Sequence, residues 1–186
     1  MLLYLANALS SLVVCLLSVT TACPHTKATF LRCIHCYVVK DDRPELETSK
    51  IKDILKQLAA SGTLYLTLSG GEILTRRDFF EIAENARKLH FALRLLTNGT
   101  LIDVEVADRI AALNPESVQV SIYGVQPEVH DGITTVSGSL ARAIKAAKML
   151  RERKVKLRIG NVLMKQNIDD YPMKSTTCPR CCDHKS

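Results

Sequence analysis

The chain has 186 residues, the length of one domain with a substantial hydrophobic core. Apolar residues make up 47% of it and the formal net charge is +6, which excludes a disordered or low-complexity protein. The basic residues fall mostly on predicted helix faces, tryptophan is absent, and no aromatic residues alternate with the charges, so the composition argues against a nucleic-acid partner. A basic surface would still favour a peptide with acidic residues.

The N-terminal 22 residues contain no charged side chain and are rich in leucine, valine and alanine. Such a run is consistent with a signal peptide or a short membrane span. We favour a short helix followed by a buried first strand around Leu12 to Thr21, because no lysine or arginine precedes the run and buried parallel strands are almost continuously apolar. This interpretation disfavours a membrane partner.

From Thr48 onward the apolar pattern predicts alternating helices and strands. Helices are predicted over 51–59, 79–89, 104–113 and 140–150, and strands over 64–68, 92–96, 118–122 and 155–162. Thr75 to Asp78 is predicted to be a capping box, Ser139 to cap the last helix, and a long loop to lead to Gly138. Strand–helix units of about thirty residues predict parallel pairing with right-handed crossovers, hence an α/β fold and a partial (β/α) barrel.

Glycine-rich or polar turns follow the predicted strands. They are Ser69-Gly70-Gly71-Glu72, Leu96-Thr97-Asn98-Gly99, Ser121-Ile122-Tyr123-Gly124 and Arg158-Ile159-Gly160-Asn161. Because functional groups of parallel α/β folds gather at the carboxyl ends of the strands, these turns are predicted to share one rim with the cysteine loop that follows the first strand. Asn98-Gly99 is interpreted as turn chemistry and His130 as a solvated loop residue.

The seven cysteines form three groups. These are Cys15 alone, then Cys23, Cys33 and Cys36, then Cys178, Cys181 and Cys182. An odd number in a chain with long periodic helices is not typical of a secreted disulfide framework, so we expect reduced thiols in a cytoplasmic protein. Cys33 and Cys36 have Cys-x-x-Cys spacing, which iron–sulfur clusters, zinc sites and redox disulfides share. The C-terminal cysteines are consistent with a remnant of an auxiliary site, a zinc knuckle or chance composition, and we favour the last because only one half-site is present.

The cysteine loop and the strand-end turns, taken in order, resemble the radical S-adenosylmethionine (radical SAM) family. The resemblance covers residues 19–166, and the wording from Gly70 to Asn161 is most similar to the peptide-modifying branch, whose members usually carry a C-terminal, cysteine-rich auxiliary-cluster domain. It implies an enzyme of oxidoreductase type that uses a [4Fe–4S] cluster and S-adenosylmethionine to generate a 5′-deoxyadenosyl radical. A peptide or peptidyl substrate and a reductase or other electron donor are the partners it implies.

The resemblance also implies the site residues. The metal ligands are Cys23, Cys33 and Cys36, and the cofactor-binding residues are Gly70, Gly71, Glu72, Ser121 and Asn161; no catalytic residue is assigned. Ser121 and Asn161 are equally consistent with turn capping. His35 and Tyr37 are consistent with packing near the adenine or with a core role.

The cysteine loop departs from the family pattern Cys-x-x-x-Cys-x-x-Cys. Four residues before Cys33, where the family has its first cysteine, the chain has Thr29. The residues before Cys23 match those that precede the family's first cysteine, and a six-residue insertion, His25 to Phe30, follows Pro24. A longer flexible spacer costs little closure entropy, and a hydroxyl is a poor substitute for a soft thiolate. Cys23 is therefore the favoured third ligand.

We divide the chain into an apolar segment (1–18), a partial radical SAM core (19–166) and a polar cysteine-containing tail (167–186). The family core usually has six strand–helix units, whereas about five are predicted here. An open sheet edge would then favour association with a second chain that completes the barrel. The alternative function is an inactive or truncated metal-binding remnant that holds zinc or an incomplete cluster.

Overall fold

The computed structural model describes residues 14–18 by their backbone, and residues 31–36 and 45–170 in full. Its sheet has five parallel strands in the order β1-β2-β3-β4-β5. The strands are β1 (Val14–Ser18), β2 (Tyr65–Ser69), β3 (Ala92–Thr97), β4 (Ser117–Ser121) and β5 (Leu157–Gly160). The predicted α/β class with a partial barrel of parallel strands is confirmed.

Helices connect successive strands. They are α1 (Thr48–Ala60), α2 (Phe79–Lys88), α3 (Val104–Ala112), α4 (Pro127–Thr134) and α5 (Ser139–Glu152), with a 3₁₀ turn at Ile73–Thr75. Helix α1 packs against α2, and α3 and α4 both pack against α5. The helices and strands enclose one core of apolar side chains.

Alternation along the strands separates the two faces of the sheet. The side chains that face the helices are fully buried, namely Leu66, Leu68, Leu93, Leu95, Val118 and Val120. The intervening side chains are half-buried and lie on the opposite face; they include Thr67, Arg94, Leu96 and Gln119. The sheet therefore presents one apolar face to the helices and one mixed, largely polar face away from them.

Helix α4 lies where a long loop was predicted, and that prediction is wrong. Pro127 occupies the first turn, where its fixed φ suits a helix start and its missing N–H removes no hydrogen bond. The buried face of this short helix consists of His130, Ile133 and Thr134. A histidine and a threonine at core positions obscure the apolar periodicity, which explains why the sequence pattern does not indicate the helix.

Two predicted helix caps are also wrong. Gly138 (φ 72°), not Ser139, is the N-cap of α5, and the capping acceptor is Asp131. Its carboxylate accepts from the N–H of Gly138 at 2.6 Å, the N–H of Leu140 at 2.9 Å and the hydroxyl of Ser139 at 2.8 Å. Burial would raise the pKa of Asp131, but these hydrogen bonds hold it below its usual value.

At the second predicted cap, Asp78 precedes α2 but its side chain makes no capping hydrogen bond. The carboxylate instead accepts from Nη2 of Arg76 at 2.8 Å and from the hydroxyl of Thr48. The hydroxyl of Thr75 donates to the carbonyl of Glu72 at 2.7 Å. The polar side chains of this segment therefore link α1 to the start of α2 rather than closing a capping box.

Strand β5 is an outer strand of the sheet in the described part of the chain. Ile159, Val162 and Leu163 at and after this strand are exposed. Association of this edge with a second chain stays a prediction. No helix among the described residues is long and apolar enough to cross a membrane, and residues 1–13 of the apolar N-terminal segment lie outside them.

Glu116, just before β4, joins the amino ends of three strands. Its carboxylate accepts from Arg94 at 2.8 Å, from the hydroxyl of Ser117 at 2.9 Å and from Lys156 at 3.1 Å. Burial would raise the pKa of Glu116, but these hydrogen bonds and the charge of Arg94 lower it to about 2. The ionised carboxylate is therefore the form that stabilises the fold.

We expect the Glu116 contribution to stability to disappear in acid. The folded pKa lies below the ordinary value of 4.5, so the stabilisation is present above pH 4.5 and is lost as the pH falls towards about 2. Urea unfolding of the wild type and of Glu116→Gln across this window measures it: the difference between their midpoints should shrink on acidification. A constant difference would contradict the prediction.

Candidate functional site

The turns singled out in the sequence lie at one rim of the sheet. Because β2 to β5 are parallel, their carboxyl ends face the same way, and the turns after them follow at that end. Gly70 to Glu72 follows β2, Asn98 and Gly99 follow β3, Tyr123 and Gly124 follow β4, and Asn161 follows β5. The predicted common rim is confirmed for these four turns.

The Cys33–Cys36 turn is attached to the carboxyl end of α4. The N–H of Arg32 donates to the carbonyl of Thr134 at 2.9 Å, and that of Ile34 donates to the carbonyl of Ile133 at 3.0 Å. The turn itself is closed by the N–H of Cys36, which donates to the carbonyl of Cys33 at 3.0 Å. Both thiols are free, with Cys33 partly buried and Cys36 exposed.

Tyr123 joins this turn to the end of β4. Its side chain is hydrogen-bonded to both Cys33 and Ser121. Its ring meets His35 edge-on at a centroid distance of 4.6 Å and stacks on His130 at 5.6 Å. The cysteine turn is therefore held from two sides, by the backbone of α4 and by an aromatic cluster at the rim.

His130 is a buried member of this cluster, and the prediction that it is solvated is wrong. Only 1% of it is exposed, and its Nδ1 accepts from the N–H of Tyr123 at 3.0 Å. The histidine is placed there by α4, which the sequence pattern did not reveal. The signal that could have found it is the spacing of His130, Ile133 and Thr134 after Pro127.

Burial governs the ionisation of the groups around the turn. Burial, together with the nearby Cys36, raises the pKa of Cys33 to about 11. Burial likewise raises the pKa of Tyr123 to about 12. A bound metal cation reverses this balance, because coordination deprotonates a thiol outright.

Gly70 and Gly71 open the turn after β2. Gly70 has φ 153°, a conformation that favours glycine. A Cβ atom built on Gly71 would meet nothing within 4 Å, and the residue is exposed. The backbone here is accessible to a ligand at close range, as the predicted cofactor contact requires.

Glu72, the third residue of this turn, is 1% exposed. Its Oε1 accepts from the hydroxyl of Thr97 at 2.7 Å and from the N–H of Leu74 at 3.2 Å, and its Oε2 accepts from the N–H of Asn98 at 2.7 Å. Burial raises the pKa of Glu72, and the hydrogen bonds partly oppose that rise. The carboxylate links the ends of β2 and β3; its contact with a cofactor ammonium stays a prediction.

Asn98 and Gly99 form the turn after β3, as expected from the sequence. The Asn98 Oδ1 accepts from the N–H of Thr100 at 2.8 Å and from its hydroxyl at 2.7 Å. Gly99 has φ 77°, and a Cβ atom there would lie 3.1 Å from Cγ1 of Val120. The pair therefore serves the close packing of the turn.

Asn161, after β5, has a polar atom that the fold does not use. Its Oδ1 accepts from Nδ2 of Asn167 at 3.2 Å. Its own Nδ2 is buried and has no hydrogen-bond partner among the described residues. A buried donor without a partner is costly, so this amide is suited to an oxygen atom of a ligand.

Asn167 and Asp170 attach the segment after β5 to the rim, and no sequence pattern indicated either residue. Nδ2 of Asn167 donates to the carbonyls of Tyr123 and Val162, each at 2.9 Å. Oδ2 of Asp170 accepts from the N–H of Val125 at 2.7 Å. Both residues are part of the scaffold that positions the loop after β4.

The donor set at the turn fits an iron–sulfur cluster as far as the structure describes it. Cys33 and Cys36 present two soft thiols at the rim, which are the ligands that such clusters prefer. Within residues 31–36 and 45–170, no three His, Cys, Asp or Glu side chains cluster as a metal site. The predicted third ligand Cys23, together with Thr29, Tyr37 and the three C-terminal cysteines, lies outside the described residues.

Comparisons with known proteins agree with this arrangement. The family model described as the Radical SAM superfamily matches residues 17–173. The AdoMet-dependent heme synthase of Methanosarcina barkeri is 32% identical over 143 residues, covering 75% of this chain and 41% of that protein. The mycofactocin maturase MftC of Mycolicibacterium smegmatis is 35% identical over 147 residues, covering 77% of this chain and 37% of that protein.

Among solved structures, the crystal structure of Streptococcus suis SuiB bound to precursor peptide SuiA superposes with a TM-score of 0.75. The identity is 22%, and the match covers 88% of this chain and 36% of SuiB. The fold is thus shared, and the chain spans about two fifths of the length of the relatives that it matches.

Proposed function

Because the chain belongs to the radical SAM superfamily, we propose that it binds a [4Fe–4S] cluster and S-adenosylmethionine and contributes to the modification of a peptide. When bound, this pair supplies reductive cleavage of the sulfonium to a 5′-deoxyadenosyl radical. The observation that carries the proposal is the Cys33–Cys36 turn, held at the sheet rim by the end of α4 and by Tyr123. The proposed third ligand is Cys23.

The residues proposed for S-adenosylmethionine lie along the same rim. Gly71, next to Gly70, leaves space for close approach, and the amide of Asn161 offers a buried donor. Ser121, hydrogen-bonded to Tyr123, is a further polar contact beside the cysteine turn. Glu72 holds the turns after β2 and β3 together and is proposed to face the methionine end.

A peptide substrate is supported by the shared fold of SuiB, whose structure contains a precursor peptide. The heme synthase among the relatives acts in a different chemical class, so substrate class is a separate question from cofactor use. The proposed cytoplasmic location and electron donor follow from the need for a reducing environment.

Anaerobic reconstitution with iron and sulfide tests the proposal against the alternative of a zinc-binding remnant. We expect iron and sulfide uptake with a broad visible absorption that dithionite bleaches, because thiolates at a rim accept a cluster. Cys33→Ser should abolish the uptake, whereas Cys178→Ser, a cysteine outside the proposed set, should not. Stoichiometric zinc without iron uptake would establish the remnant instead.

A further inference from the structure

A cavity of about 240 Å³ lies on the face of the sheet away from the helices. Both polar and apolar groups of β2, β3, β4 and β5 line it, namely Thr67, Arg94, Leu95, Leu96, Ser117, Gln119 and Arg158. None of these residues belongs to the rim site described above. The volume suits a single side chain rather than a whole cofactor.

Positive charge exceeds negative charge at this cavity. Glu116 lies next to the two arginines of the cavity and to the neighbouring Lys156: Arg94, Lys156 and Arg158 lie 2.8, 3.1 and 3.8 Å from its carboxylate. The last distance is too long for a hydrogen bond. Three cations therefore share one carboxylate in this cluster, which leaves charge available for an anionic ligand.

The guanidinium of Arg94 is fixed in place with donors to spare. Its Nε donates to Glu116, and its Cζ lies 4.6 Å from the centroid of the Tyr65 ring. Neither its terminal nitrogens nor the guanidinium of Arg158 makes a hydrogen bond to another described residue. Guanidinium donors held in this way match the two oxygens of a carboxylate.

Gln119 adds a polar group between the two arginines. A Cβ atom on Gly160 would lie 2.5 Å from Nε2 of Gln119. The glutamine side chain therefore occupies space that is open only because residue 160 is a glycine. Gln119 and Arg158 are also register partners in neighbouring strands. The amide therefore lies against Gly160, and its residue is paired with Arg158 across the two strands.

We propose that this cavity binds the carboxylate of an acidic side chain in the peptide substrate. Such a side chain carries its carboxylate on a short flexible arm. The inference rests on the proposed function and specifies its substrate. A tetrapyrrole propionate carries the same carboxylate on a two-carbon arm, as a glutamate side chain does, so the test must separate these sources. Arg94 and Arg158 bind the carboxylate, and Gln119 donates an additional hydrogen bond.

The test is a titration of the full apo chain with N-acetylglutamate α-methylamide, followed through the side-chain NMR signals of arginine. We expect the uncharged glutamine analogue to bind about tenfold more weakly, and Arg158→Gln to weaken glutamate binding by about the same factor. Arg158 is half exposed and makes no hydrogen bond to another described residue, so a thermal melt should show the variant folded.

Lys156→Gln is the matched control, because it removes the same charge beside Glu116 but does not line the cavity. It should change the affinity by less than about twofold. Equal weakening by Lys156→Gln, equal binding of glutamate and glutamine analogues, or equally strong binding of inorganic phosphate would overturn the proposal. Tighter binding of a propionate-bearing porphyrin, abolished by Arg158→Gln, would support the carboxylate site but replace the peptide with a tetrapyrrole.

The apo chain needs neither cluster nor S-adenosylmethionine for this titration, so the two proposals can fail separately. Iron uptake without selective glutamate binding overturns only the cavity assignment. Selective glutamate binding in a chain that takes up zinc and no iron overturns only the proposed radical chemistry.

Discussion

Replacing Glu72 with alanine is expected to lower the free energy of unfolding by about 3 kcal/mol, at roughly 1 kcal/mol for each of three donors. The donors are the hydroxyl of Thr97 and the N–H groups of Asn98 and Leu74, which lie 2.7, 2.7 and 3.2 Å from the carboxylate. Because Glu72 is 1% exposed, water cannot replace the lost acceptor without rearrangement. Urea unfolding followed by circular dichroism measures the loss.

Glu84→Ala is the matched control, because Glu84 is an exposed glutamate on α2. It should change stability by no more than about 0.5 kcal/mol. Glu72→Gln keeps one acceptor, and its stability should lie between those of the two alanine variants.

We also expect Glu72→Gln to weaken S-adenosylmethionine binding with no change in iron content. Unchanged affinity in a folded variant would remove Glu72 from the cofactor site, and a stability equal to wild type would refute its linking role.

Cys23→Ala is expected to abolish retention of the cluster, whereas Thr29→Ala should leave the iron content unchanged. The reason is chemical: a thiolate is a soft ligand for iron and a threonine hydroxyl is not. The six inserted residues lengthen the spacer between Cys23 and Cys33, and the entropy cost of closing a loop rises only slowly with its length. Iron and sulfide analysis after anaerobic desalting measures retention.

If the insertion instead keeps Cys23 away from the cluster, the result changes in a recognisable way. The wild type would hold little iron and Cys23→Ala would have no further effect. Thr29→Cys, which restores the usual spacing, would then raise iron binding. Either of the first two observations would count against Cys23 as the third ligand.

The strands could be predicted from the sequence because each is a short apolar run closed by a glycine or polar turn. The strand predicted over 92–96 is Ala92–Thr97 in the structure, and the one predicted over 64–68 is Tyr65–Ser69. The helices between the strands predict parallel pairing. Parallel pairing in turn places Gly71 and Asn161 at the same rim of the sheet. These results depend on local pattern and connectivity, which a single sequence contains.

The parts that could not be predicted depend on contacts between residues distant in the chain. Ser139 has a local capping signal, but Asp131, eight positions earlier, provides the acceptor. Tyr123 meets His35 only after the sheet and α4 have formed. The contact of Asn167 with Tyr123 likewise has no local signal, because the two residues lie 44 positions apart. The binding roles of the rim residues and the domain boundaries stay predictions.

The attachment of the cysteine turn to α4 has a consequence for how metal loading relates to folding. In small zinc modules the unfolded chain orders its ligands only when metal binds, so chelation denatures them. Here Arg32 and Ile34 are hydrogen-bonded to Thr134 and Ile133, and the sheet and helices bury a core of their own. The protein therefore positions Cys33 and Cys36 before any metal binds, and a chelator should leave a chain that still melts cooperatively and can be reloaded.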